Sequence, residues 1–180
     1  LFLLGRIYDA LEVPTLAVRA YNRALDIHPY WADAHHRAGL ALRRLGADRE
    51  ARDHFARAFE LESGLAAAAY EAGLVERELG SLKEARRFLE GAHGSEPHNL
   101  EYLVDLAETC RLLGDLPAAI AHYQAAISLN SKRAQSHFEL GYTQWRARQF
   151  EAAREALGTC LKHEPEHCDA LFFLGRAHYD

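Results

Sequence analysis

A small residue returns every 34 positions along the chain, as Gly5, Gly39, Gly73, Ala107, Gly141 and Gly175, with no insertion or deletion between them. A period this strict across 180 residues restricts the fold to units of one size stacked side by side, a solenoid, because each unit can bury its apolar face only against the next.

Other marked positions keep the same register. Ala17, Ala51, Ala85, Ala119 and Ala153 follow the glycine series by twelve residues, and Tyr21, Phe55, Leu89, Tyr123 and Leu157 come four residues later. Ala24, Ala58, Ala92, Ala126 and Cys160 then restore a small group. Spacings of this kind place all these residues on one stripe of a helix. Gly46, Gly80 and Gly114 mark a turn before three of these helices, and Pro29, Pro97 and Pro165 mark a stop after them. Each unit therefore reads helix, turn, helix, turn, and the fold class is all-α.

The pattern resembles the tetratricopeptide repeat, a 34-residue helix pair with Leu-Gly, Tyr, Ala, Phe and Pro at set places. The first unit matches it best, through Leu1, Leu4, Gly5, Tyr8, Ala17, Tyr21, Ala24 and Pro29. Later units depart at single places. His35, Ala69 and His137 replace the first large residue, Glu76 and Gln144 replace the Tyr, and Ser63 and Ser131 replace the Pro. The resemblance covers the whole chain and implies a right-handed superhelical solenoid of antiparallel helix pairs. Its units run 1–31, 32–65, 66–99, 100–133 and 134–167, with a partial sixth over 168–180. The first unit begins inside its helix, the chain has no Met, and Leu171, Phe172, Phe173 and Leu174 form an apolar cluster at the other end. On this reading the chain is an excerpt of a longer array, since natural ends carry a polar cap.

Composition suits a packed helical domain: 49% apolar, 26% charged and only 5 Pro. No run approaches the ~20 apolar residues of a membrane helix. The net charge of −5 comes without any Lys or Arg block, which argues against nucleic acid and membrane surfaces as partners. Cys110, Cys160 and Cys168 are an odd set without recurring spacing, so a cytoplasmic setting is favoured over a disulfide framework. The abundance of Ala and Arg points to a bacterial source.

Chemistry has little support. Cys160, His163, His167 and Cys168 resemble a zinc-ligand set on paper, but Cys160 belongs to the core stripe and His163 to a helix end, so no metal site is expected. A bridge from Cys160 to Cys168 is left open. No GxSxG, HExxH, P-loop or GxGxxG arrangement occurs. The expectation is a chain without catalytic residues and without a cofactor.

Surface remains. At ~100° per residue, positions 4, 7, 8 and 11 of each first helix form the core stripe, and positions 2, 5, 9 and 12 form another. The resemblance implies that this second stripe lines a concave groove where ligands bind. Position 12 carries Arg43, Arg77 and Arg111 and then Trp145, while position 5 carries His36, Tyr70 and Phe138, and position 9 carries Tyr142. Phe138, Tyr142 and Trp145 gather on one face of the fifth unit and are the foremost candidates for partner anchors. Packing against the neighbouring first helix would equally account for them. The arginine series would suit an acidic extended segment. Glu71, Asp105 and Glu139 at position 6 offer the plainer alternative, in which the arginines neutralise neighbours.

The expected function is a non-catalytic scaffold holding a peptide or helix of another protein, with end-to-end self-association as a further possibility. The alternative is a substrate-recruiting arm of a larger enzyme, such as a glycosyltransferase, or of a bacterial envelope or secretion assembly. The family's clamp for chaperone C-termini needs a Lys and Asn set that no register supplies. The asparagine ladder of the O-linked sugar transferases is replaced at position 6 by Leu3, Arg37, Glu71, Asp105, Glu139 and Phe173. One weakness is expected in the third unit, where Gly91 and Gly94 in the second helix should give early fraying or a bend between the third and fourth units.

Overall fold

The computed structural model describes residues 1–179. Among them the regular structure is entirely helical: α1 (Phe2–Ala10), α2 (Pro14–Leu25), α3 (Ala32–Arg44), α4 (Asp48–Leu61), α5 (Ala66–Glu78), α6 (Leu82–Ser95), α7 (Leu100–Leu112), α8 (Leu116–Leu129), α9 (Ala134–Arg146), α10 (Phe150–His163) and α11 (Cys168–Tyr179). Short connections make consecutive helices pack as neighbouring pairs from α1 to α6 and again from α7 to α11. The chain divides into two compact units, one over Leu1–Glu96 and one from Pro97 on.

Three-residue turns at 11–13, 45–47, 79–81, 113–115 and 147–149 join the first helix of each pair to the second. Their central residue is left-handed in every case: Glu12 at φ 56°, Gly46 at 74°, Gly80 at 81°, Gly114 at 83° and Arg148 at 60°. The next backbone N–H reaches back across the helix end, from Ala47 to the Leu42 carbonyl at 3.0 Å, Asp115 to Cys110 at 2.9 Å and Gln149 to Gln144 at 2.9 Å. These are the bonds by which a helix closes its last carbonyls before reversing.

The periodic small residues seat the large ones sixteen positions on. A Cβ on Gly5 would lie 2.4 Å from the Tyr21 ring, on Gly39 2.6 Å from Phe55, on Gly73 2.7 Å from Leu89 and on Gly141 2.7 Å from Leu157. The four large residues are fully buried. In the first unit Ala17, Tyr21, Leu25, Ala34, Ala38 and Ala41 form one core cluster, and Leu42, Ala51, Phe55, Ala72, Val75 and Phe88 form the next. In the second, Leu157, Cys160 and Ala170 are packed by Phe138, Phe173 and Leu174.

The fraying expected of α6 does not shorten it, for it runs to Ser95 at 14 residues, the same length as α4, α8 and α10. Gly91 is a notch for the Phe59 ring, which would lie 2.7 Å from a Cβ there. The Ser95 hydroxyl shares its proton between the Gly91 carbonyl at 3.1 Å and the Ser63 carbonyl at 3.2 Å, fastening the last turn to the α4–α5 connection.

Candidate functional site

The second unit assembles the aromatic candidates. Phe138, Tyr142 and Trp145 lie four and three residues apart on α9, so they share one face, and all three are half-buried. Phe138 and Tyr142 stack with centroids 6.2 Å apart and planes 14° apart, and Tyr142 and Trp145 continue the stack at 6.2 Å and 22°. Phe173 of α11 inserts against this row, 6.3 Å from Phe138, 4.7 Å from Tyr142 and 5.0 Å from Trp145. Packing against the neighbouring first helix, the alternative weighed above, is therefore part of what these rings do.

Cations border the row. The Arg111 guanidinium of α7 stands 5.4 Å from the centre of the Tyr142 ring, and that of Arg176 on α11 stands 5.5 Å from Trp145. Both separations suit attraction between a cation and an aromatic face. Arg111 also approaches Glu108 at 3.7 Å. Glu139, half-buried on α9, accepts from the Gln135 side chain at 2.7 Å. Burial holds its carboxyl above the ordinary carboxylate range, while the Gln135 hydrogen bond and the Arg111 charge pull the other way. Phe172 beside Phe173 leaves 58% of its surface open.

The remaining candidates lie in the first unit, His36 and Arg43 on α3 and Tyr70 and Arg77 on α5. Arg43 reaches Glu71 at 3.1 Å and Glu78 at 2.7 and 2.9 Å, tying α3 to α5. The charge-neutralising role is thus realised at this arginine, through the position-6 carboxylate expected to take it. His36 packs near Phe55 with centroids 5.8 Å apart, and burial lowers its pKa against the pull of Glu71 and Asp33. Tyr70 and Arg77 are half-buried.

The residues weighed as metal ligands face different neighbours. Cys160 is wholly buried in the core, and burial pushes its thiol up. His163 faces the His137 ring at 5.9 Å, His167 packs on Phe138 at 4.6 Å, and the exposed Cys168 lies beside the Glu166 carbonyl at 3.5 Å. All three cysteines are free thiols, so Cys160 and Cys168 are not bridged. Among the described residues no three His, Cys, Asp or Glu side chains are placed to hold a metal ion, and no helix is long and apolar enough to cross a membrane.

Sequence reasoning did not single out Phe173 and Arg176 as partners of this face, nor Arg146, Arg148 and Phe150 at the α9–α10 turn beside Trp145. For Arg148 a signal existed, since it breaks the series Gly46, Gly80, Gly114.

Against the curated proteins the sequence finds no significant match. Two family models do match, the TPR repeat over residues 107–147 and the tetratricopeptide repeat over residues 138–180. Among solved structures, YrrB, described as a TPR protein with an unusual peptide-binding site, aligns at a TM-score of 0.87 and 22% identity, over 95% of this chain and 88% of that one. MamA aligns at 0.83 and 18% identity, over 92% of this chain and 96% of its own. PilF of Pseudomonas aeruginosa aligns at 0.71 and 19% identity, over 94% of this chain and 78% of its own. The 34-residue period, the helix pairs with glycine-seated large residues and these matches agree that the chain has the tetratricopeptide-repeat fold, with the repeat family itself matched over residues 107–180.

Proposed function

We propose that the chain is a non-catalytic interaction scaffold that holds a peptide or helix of another protein against the face carried by α7, α9 and α11. The observation that carries this reading is the row Phe138, Tyr142, Trp145 and Phe173, half-buried and bordered by Arg111 and Arg176. Aromatic rings held by their neighbours lose little freedom on binding, and Trp, Tyr and Arg are the residues that most often dominate interface energies. The peptide-binding site ascribed to YrrB, which shares the fold, is consistent with such a use.

The reading is tested by affinity capture with the intact chain and with a Tyr142→Ala, Trp145→Ala double variant, helicity being checked by circular dichroism. Captured protein should fall away in the double variant while helicity is kept. Equal capture by the two would remove the aromatic row from the interface.

A further inference from the structure

Beside the aromatic row, the end of α9, the following turn and α11 enclose a concave pocket of about 450 Å³ lined by Trp145, Arg146, Arg148, Phe150 and Arg176. Three arginines thus line one pocket of a chain whose net charge is −5. Arg146 and Arg148 are exposed and make no ion pair with any described residue. The nearby carboxylate of Glu151 is engaged by Arg154 at 3.0 Å. Arg146 alone would be accounted for by its place in the last turn of α9, where a cation suits the exposed carbonyls.

Arg148 has no such account. It occupies the left-handed residue of the turn, φ 60°, where Gly46, Gly80 and Gly114 stand in three of the four preceding turns and Glu12, at φ 56°, in the first, which borders no such pocket. A side chain there is disfavoured relative to glycine, and a turn needs none. Strain kept where glycine would relieve it marks a side chain retained for what it meets.

We propose that this pocket is a carboxylate-reading subsite that selects an acidic protein segment, with one acidic side chain forked by Arg148 and Arg146 and an adjacent apolar side chain lying on Trp145 and Phe150. The proposal rests on the reading of the α7, α9 and α11 face given above and names the chemistry of its partner. A guanidinium presents paired N–H donors to a carboxylate, and such charge-assisted pairs are the strong ones. The apolar rings beside them distinguish a peptide from a bare anion.

The test uses the whole ¹⁵N-labelled chain, which has only 2 tryptophans, Trp31 and Trp145. Their two indole N–H signals are followed during titration with an acetylated, amidated Phe-Glu-Glu-Phe peptide, with its Phe-Gln-Gln-Phe counterpart and with inorganic phosphate. The acidic peptide should move the Trp145 signal to saturation and leave Trp31 in place, and the Gln peptide should bind ~10-fold more weakly or worse. Arg148→Gly should leave Tm unchanged or raised while weakening the acidic peptide ~10-fold, a pairing of effects that a structural role for Arg148 would not give. A lowered Tm in that variant, or unchanged binding, overturns the role of Arg148. Equal binding of the two peptides overturns the acidic preference yet leaves the aromatic row as a docking face. A Trp145 shift with phosphate as large as with the acidic peptide overturns the peptide assignment. Absence of any Trp145 shift overturns the subsite, whereas the capture experiment decides the aromatic row on its own.

Discussion

Gly39 lies under the ring of Phe55 so closely that a Cβ there would sit 2.6 Å from the ring edge. The first helix of the pair can approach the second only because that methyl is missing. Gly39→Ala should therefore destabilise the chain by about 1–3 kcal/mol through overpacking. Gly175 occupies the same place in the period with nothing within 4 Å, so Gly175→Ala should stabilise by up to ~1 kcal/mol through helix propensity alone. Opposite signs of the two Tm shifts are the expected result. A drop of equal size in both would show that Gly39 is not read by Phe55.

Two glycines of α6 should part in the same way. Gly91 receives Phe59, whereas Gly94 has open space around it. Gly94→Ala should slow amide exchange in the last turn of α6 and raise Tm, while Gly91→Ala should lower Tm. In the unaltered chain that turn should still exchange faster than the corresponding turn of α8, because Gly94 leaves the backbone poorly constrained. Equal exchange in the two helices would mean that the Ser95 hydroxyl bonds alone hold the end.

Stability should fall as the solution is acidified through the histidine range. The His35 Nε2 lies 3.1 Å from the Pro29 carbonyl, which can only accept, so this nitrogen carries the proton. Its Nδ1, 3.1 Å from the His54 Nδ1, is then the acceptor in the neutral pair. One proton can be accommodated, but two leave both Nδ1 atoms as facing donors. Burial lowers the pKa of both rings, and the charges of Arg57 at His35 and of His35 at His54 lower them further, against Asp53 at His54 and the Pro29 carbonyl at His35. Because the folded values lie below the unfolded one near 6.5, the neutral pair's contribution is complete above that pH and is lost as pH falls through the folded values. His54→Asn should flatten the fall in Tm between pH 7 and pH 5. An equally steep fall in the variant would assign it to carboxylates.

What was legible in the sequence was whatever repeats. The seating of a small residue under a large one sixteen positions on recurs at Gly5, Gly39, Gly73 and Gly141, so a single period discloses a tertiary contact such as Gly73 under Leu89. Cys160 was placeable in the core by the same register, and the Arg43 to Glu71 pair followed from charges at positions 12 and 6. Contacts that occur once were not legible. Phe173 stands at position 6, between the two stripes, and whether its ring enters the aromatic row depends on how α11 is rotated against α9. The His35 to His54 bond depends on rotamers. Gly91 shows the converse failure: propensity read it as a weakness, while the Phe59 ring needs the space.

Phe173 should hold the whole aromatic row in place. Its ring meets the three α9 rings of the row at 4.7 to 6.3 Å, and it is the one member of the row that comes from α11. Phe173→Ala should destabilise by about 1–3 kcal/mol, less than for a fully buried phenylalanine, because the site is half-buried. Trp145 loses a ring 5.0 Å away in that variant, so its fluorescence should shift to the red as water reaches the indole, measured in a Trp31→Phe background to leave one emitter. Phe173→Leu should restore most of the stability but not the stacking geometry. If partner capture follows the Trp145 emission across these variants, the row acts as a preformed surface. Capture that survives Phe173→Ala while the emission shifts would place the binding energy on Arg111 and the pocket arginines instead.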